Sequence, residues 1–187
     1  MKLIKIFLAA SLLIYLAGCS SVSVNTDYDD SVDFSQYKTF KFYTGKDLEG
    51  DELAKHSLAK RRIINSIKKV ILAKGFTEDS NNADLIVVTY AGVDQKMNVT
   101  TYGGNYGYGW YSPYWGGGGV GMTQTDVNYY DEGTLIIDIV DAEKKALVWR
   151  GTGTQILRDY SSNEERQANI DDVVSQILDD FPPGTGK

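Results

Sequence analysis

Thr134-Leu-Ile-Ile-Asp-Ile-Val140, Asp141-Ala-Glu-Lys-Lys145 and Ala146-Leu-Val-Trp-Arg150 follow one another without a break, and their reading decides the fold. The outer two are rich in β-branched, aliphatic and aromatic residues, and a short charged turn separates them. That arrangement is a β-hairpin. Asp138 is the one carboxylate inside the first run, and it is expected to face solvent or to pair with Arg150 across the hairpin. The second arm is expected to run on toward Leu157.

Upstream, Ala83–Ala91 (ADLIVVTYA) is apolar enough for a central strand. Lys96–Tyr102 either continues it or begins another, and residues 122–130 alternate as a strand leading to Gly133. Val22 and Val24 alternate with polar neighbours, Asp30–Gln36 is turn-rich, and Thr39-Phe-Lys-Phe-Tyr43 reads as a second strand.

Two segments change period. Ile63, Ile64, Ile67, Val70 and Ile71 recur at helical spacing within residues 53–74, with Arg61, Arg62, Lys68 and Lys69 mostly opposite and Gly75 as the stop. Ile170, Val173, Val174, Ile177, Leu178 and Phe181 form a second stripe, capped by Ser162 or Asn163 and ended by Pro182-Pro183. The predicted order is β-β-α-β-β-β-β-α. Mostly hairpin-connected strands make this an α+β, two-layer domain: a mostly antiparallel sheet, with both helices packed on one face. It is expected as one domain over residues 22–183.

The first 19 residues read differently. Lys2 and Lys5 precede an apolar run, Ile6–Leu16, too short to span a bilayer comfortably. Leu16-Ala17-Gly18-Cys19 matches the bacterial lipobox, which implies cleavage after residue 18 and a diacylglycerol on the Cys19 sulfur. Residues 19–30 then serve as lipidated N-terminus, tether and start of the first strand. Ser20 lacks the aspartate that favours inner-membrane retention, so the expected address is the outer membrane, on its periplasmic face. Cleavage removes two lysines and leaves 17 basic against 25 acidic residues, a net −8. That surface repels phosphate backbones, so nucleic acid is not an expected partner, and attachment to a membrane falls to the lipid.

Residues 102–121 (YGGNYGYGWYSPYWGGGGVG) hold nine Gly and seven Tyr or Trp and no charge. Ordering so much glycine is entropically costly, and aromatics without aliphatic neighbours do not form a core. The segment is expected as an exposed loop or the tip of a long hairpin. Tyr106, Tyr108, Trp110, Tyr111, Tyr114 and Trp115 are its candidate contact residues, offering amphipathic surface to a partner or a sugar ring; a low-complexity insert with no ligand is the plain alternative. Its glycines make neither a dinucleotide fingerprint nor a phosphate loop.

Routes to catalysis are few. Cys19 is the only cysteine and is committed to lipid, so the mature domain has no disulfide or thiolate nucleophile. His56 is the only histidine, so no His-based metal pair exists, and no serine sits in a nucleophile elbow. Asp27, Asp29, Asp30 and Asp33 lack calcium-loop spacing and read as a solvated turn. No catalytic residues, metal or cofactor beyond the covalent lipid are expected.

Several segments in order resemble one family. Asp27-Tyr-Asp29, Asp33-Phe-Ser-Gln-Tyr-Lys-Thr-Phe40, Lys74-Gly-Phe76, Ala83-Asp-Leu-Ile-Val87, Glu132-Gly-Thr-Leu-Ile-Ile-Asp138, Leu147-Val-Trp-Arg-Gly-Thr152 and the Ile177-Leu178…Phe181-Pro-Pro183 ending are similar to the envelope lipoproteins carrying domain of unknown function 4136 (DUF4136). The resemblance implies a small α+β domain at the cell envelope and no assigned activity. Within it, Tyr37 and Phe40 are expected in the core, Gly133 and Gly151 at close backbone approaches, and Trp149 against a helix. The expected function is thus a non-enzymatic, lipid-anchored envelope protein that meets a protein partner through the aromatic-glycine loop. A glycan- or peptidoglycan-binding module is the alternative, and a hydrolase centred on His56 a third.

Overall fold

The structure, a computed structural model, describes residues 22–46, 50–102 and 124–184. In chain order they form β1 (Ser23–Tyr28), a 3-10 turn (Phe34–Gln36), β2 (Thr39–Phe42), α1 (Glu52–Lys55), α2 (Ser57–Ala73), β3 (Thr77–Glu78), β4 (Leu85–Tyr102), β5 (Gln124–Asp141), β6 (Leu147–Ile156) and α3 (Asn163–Ile177). The strands make one mixed sheet in the order β1-β6-β5-β4-β2-β3. β1, β6, β5 and β4 are antiparallel neighbours, while β2 runs parallel to both β4 and β3. This is the predicted α+β architecture, with most strands antiparallel.

The alternation of each strand decides what the sheet buries. Leu85 and Val87 of β4, Leu135, Ile137 and Ile139 of β5, and Trp149 of β6 enter the core with Phe40 of β2. The helices close it with the predicted stripes: Ile63, Ile67 and Ile71 of α2, and Val173, Val174 and Ile177 of α3 followed by Leu178 and Phe181. Phe181 is the hub of an aromatic cluster, its ring centroid 5.2 Å from Trp149, 5.5 Å from Phe76 and 6.3 Å from Phe34. The Trp149 Nε1 is buried without a hydrogen-bond partner among the described residues, so apolar contact alone seats that ring.

Three features differ from the sequence reading. The first helix is broken in two at His56, whose ψ of 67° is not helical. The cause is tertiary: the Asp51 carboxylate caps α1 at the Leu53 amide and also accepts the Ala91 amide of β4, 3.0 Å each. Leu53 is buried, so the first turn is fixed to the sheet while α2 follows its own stripe. Second, β3 is a two-residue edge strand too short to show in the pattern. Third, the segments read separately as 122–130 and 134–140 are one strand, β5, while Lys96–Tyr102 continues β4, one of the two readings its pattern allowed.

The helix ends follow local rules. Gly75, at φ +93°, closes α2 as a Schellman motif: its amide donates to the Leu72 carbonyl and the Phe76 amide to that of Ile71. Ser162 is the cap of α3, its hydroxyl accepting the Glu165 amide at 3.1 Å.

Candidate functional site

β4 and β5 pair without interruption from Leu85↔Asp141 to Tyr102↔Gln124. Neither flank accompanies them all the way: β2 leaves β4 at Val87, and β6 leaves β5 at Glu132. The Leu157 amide still donates to the Asp131 carbonyl, and beyond the Gln95↔Asp131 pair seven further pairs hold only each other, a two-stranded arm about 23 Å long at the usual rise per residue. Gly92 to Met97 are exposed without alternation, as both faces of an isolated ribbon must be. The arm therefore leaves the body past Gln95 and Asp131, and residues 103–123 join its two strands.

The start of β1 lies at the same end. Ser23, Thr154, Thr134 and Gly92 stand in one row across β1, β6, β5 and β4. β1 runs in the same direction as β5, so it enters the sheet from the arm side.

The opposite end of the sheet is held by polar side chains. The Tyr37 hydroxyl donates to Asp141 Oδ2 at 2.8 Å, and Asp141 Oδ1 accepts the Glu143 and Lys144 amides at 2.9 Å each. Burial pushes the Asp141 carboxyl up, but the Lys144 amide, the Tyr37 hydroxyl and the Glu143 amide outweigh it and leave it below its ordinary value. Burial and the hydrogen bond to Asp141 push the Tyr37 phenol up to about 12. Asp84 ties β4 to β2 by accepting the Lys38 and Thr39 amides at 2.8 and 2.9 Å, and those bonds hold its carboxyl low. The charged turn of the hairpin is thus organised by its own first residue.

The sheet face turned away from the helices carries a closely bonded ion pair. Arg150 donates through Nε and Nη2 to the two oxygens of Asp138, each at 2.7 Å, as the hairpin register predicts. Its Nη2 also reaches the Tyr90 hydroxyl at 3.2 Å. Tyr90 was outside the sequence reading because only the β4–β5 register brings it beside Arg150. Half-buried Ile86, Val88, Ile136 and Val140 share this face.

His56 is exposed at the junction of α1 and α2. Asp29 and Asp33 serve turns, accepting from Ser31 and Ser35. Among the described residues no group of three His, Cys, Asp or Glu is placed to hold a metal ion. No described helix is long and apolar enough to cross a membrane. Cys19 and the contact residues Tyr106, Tyr108, Trp110, Tyr111, Tyr114 and Trp115 lie outside the described residues.

These features define an α+β sheet-and-helix domain, helices on one face, with a hairpin arm standing out from the sheet. The chain belongs to the family of domain of unknown function DUF4136, whose model matches residues 24–183. A crystal structure of a PDZ domain protein from Parabacteroides distasonis shares the fold at TM-score 0.55 and 16% identity, covering 96% of this chain and 40% of its own. This chain therefore spans two-fifths of that protein's length. Two PelC dodecamer structures from Paraburkholderia phytofirmans match at 15% identity with TM-scores of 0.38 and 0.40, over 84% of this chain and 94% of theirs. No curated protein matches the sequence.

Proposed function

We propose that the protein is a non-enzymatic outer-membrane lipoprotein, anchored through Cys19, whose arm carries the aromatic-glycine segment to a protein partner of the envelope. The observation that carries this reading is the unbroken β4–β5 register out to Tyr102↔Gln124, past the ends of both flanking strands. An isolated ribbon of this length contributes little to a domain's stability, so a structural need in the body does not account for it. Position sharpens the reading. Cys19 is three residues before Val22, a reach of at most about 11 Å. The lipid thus enters at the arm end of the sheet, and the arm outreaches it. The partner is met in the layer next to the membrane.

Photo-crosslinking in native membranes, comparing the wild type with a chain lacking Gly103–Gly119, tests this. Protein adducts made by the wild type and absent from the deletion are expected; identical adducts in both overturn the contact role. Co-sedimentation with purified sacculi that is lost in a Trp110→Ala, Trp115→Ala variant would replace the protein partner by a glycan. Labelling with radioactive acyl precursor is expected in the wild type and absent in Cys19→Ser.

A further inference from the structure

At the root of the arm, between α2 and α3 and above β5, lies a cleft of about 260 Å³. Leu53, Ile63, Leu135, Leu157, Ile170 and Val173 line it, and the bare backbone of Gly133 and Gly153 forms part of its floor. An apolar cavity of about 150 Å³ already stays dry and accepts a benzene ring, so this one has room for a longer hydrocarbon.

The mouth differs from the lining and from the rest of this acidic chain. Arg166 and Tyr160 stand there, with His56 on the other side. The Arg166 and Arg158 guanidiniums lie 5.8 and 5.7 Å from the Tyr160 ring centroid. Arg62 of α2 and Arg166 of α3 both donate to Asn163 Oδ1, at 3.0 and 3.3 Å. Arg166 lines the cleft, and Arg62 and Arg158 cluster about it through Asn163 and Tyr160. Glu52, the carboxylate in the lining, pairs with Lys55 at 2.7 Å, and the Glu165 carboxylate accepts from Ser161.

We propose that this cleft binds a single-chain amphiphile with an anionic head, its hydrocarbon against the aliphatic lining and its head at the arginines. An apolar slot accounts for the tail, and the cationic mouth of a net-negative domain accounts for the sign of the head. The site stands apart from the contact role of the arm, since none of its residues lies beyond Val93 on β4 or before Gly133 on β5.

Calorimetric titration of the chain from residue 19 onward, carrying Cys19→Ser, with dodecanoate, dodecanol and dodecyltrimethylammonium below their micellar concentrations tests the proposal. One saturable site is expected, with dodecanoate at least about tenfold tighter than the cationic amphiphile. Ala59→Trp fills the cleft and is expected to weaken all three by about tenfold or more at unchanged circular dichroism. Arg166→Gln is expected to narrow the preference for dodecanoate while dodecanol binds as before. Absence of saturable binding, equal binding to Ala59→Trp, or equal affinity for both head charges overturns it. Binding that appears only once Gly103–Gly119 is deleted also overturns it, because the chain's own tip would then be the occupant. Should Ala59→Trp fail to fold, photolysis of a diazirine dodecanoate on the unsubstituted cleft decides: label on the Leu53–Ile63 and Ile170–Val173 peptides supports the site, and label elsewhere overturns it.

Discussion

Arg150 and Asp138 face each other directly across β6 and β5, joined by two charge-assisted hydrogen bonds of 2.7 Å. The pair is asymmetric: the Asp138 side chain is 11% exposed and that of Arg150 43%. Removing the arginine therefore strands a nearly buried carboxylate, whereas removing the aspartate leaves a cation that water still reaches. Arg150→Ala is expected to destabilise the domain by about 1–3 kcal/mol, and Asp138→Ala by less. Urea denaturation of both variants and the double variant checks the order; equal costs would show that the pair acts as a surface bridge.

The Tyr37–Asp141 contact links stability to pH at both ends of the scale. Asp141 and Asp84 have carboxyls held below the ordinary 3.8, so their contribution is present above that value and is lost as pH falls through their lower folded values. Tyr37 moves the other way. Its phenol rises from 10.0 to about 12, so its contribution is complete below pH 10.0 and is lost as pH climbs toward 12. Denaturation midpoints across pH are expected to fall at both extremes, and Tyr37→Phe is expected to remove much of the alkaline fall.

Gly151 is a packing requirement. A Cβ there would run into the Trp149 ring and come within 2.6 Å of Ile177 Cγ2, both in the core. Gly151→Ala is expected to cost about 1–3 kcal/mol as an overpacked core. A thermal or urea midpoint within error of the wild type would mean that Trp149 finds another rotamer.

The arm is expected to be separable from the body. Amides of β4 beyond Asp94 and of β5 before Asp131 should exchange with deuterium well before those of Ile137 and Ile139, which lie between two paired strands. Deleting Gly103–Gly119 is expected to change the unfolding free energy of the body by no more than about 0.5 kcal/mol. A larger loss would show that the arm is part of the core.

Much of this was legible in the residues. The hairpin of Thr134–Arg150, both helical stripes, the Gly75 stop and the Asp138–Arg150 pair follow from spacing, because side-chain period and cross-strand proximity are local properties of the chain. The break at His56 was not legible. Nothing in Asp51–Ala59 forbids a continuous helix; the Ala91 amide, forty residues away, claims the Asp51 carboxylate. Likewise Asp141 reads as one acid in a charged turn until the fold brings the Tyr37 hydroxyl to it.

By itself, the sequence determined the fold class, the family signature and the composition of residues 102–121, since amphipathic period, turn chemistry and glycine content are written in neighbouring residues. Only the tertiary structure decided that two predicted strands on either side of that segment are the ends of one long ribbon. It alone brought the start of β1 to the same end of the sheet, and lined an apolar cleft with Arg166 at its edge and Arg62 and Arg158 clustered about that arginine. Strand register and helix placement bring residues together across long separations, and no window of the sequence records which ones will meet.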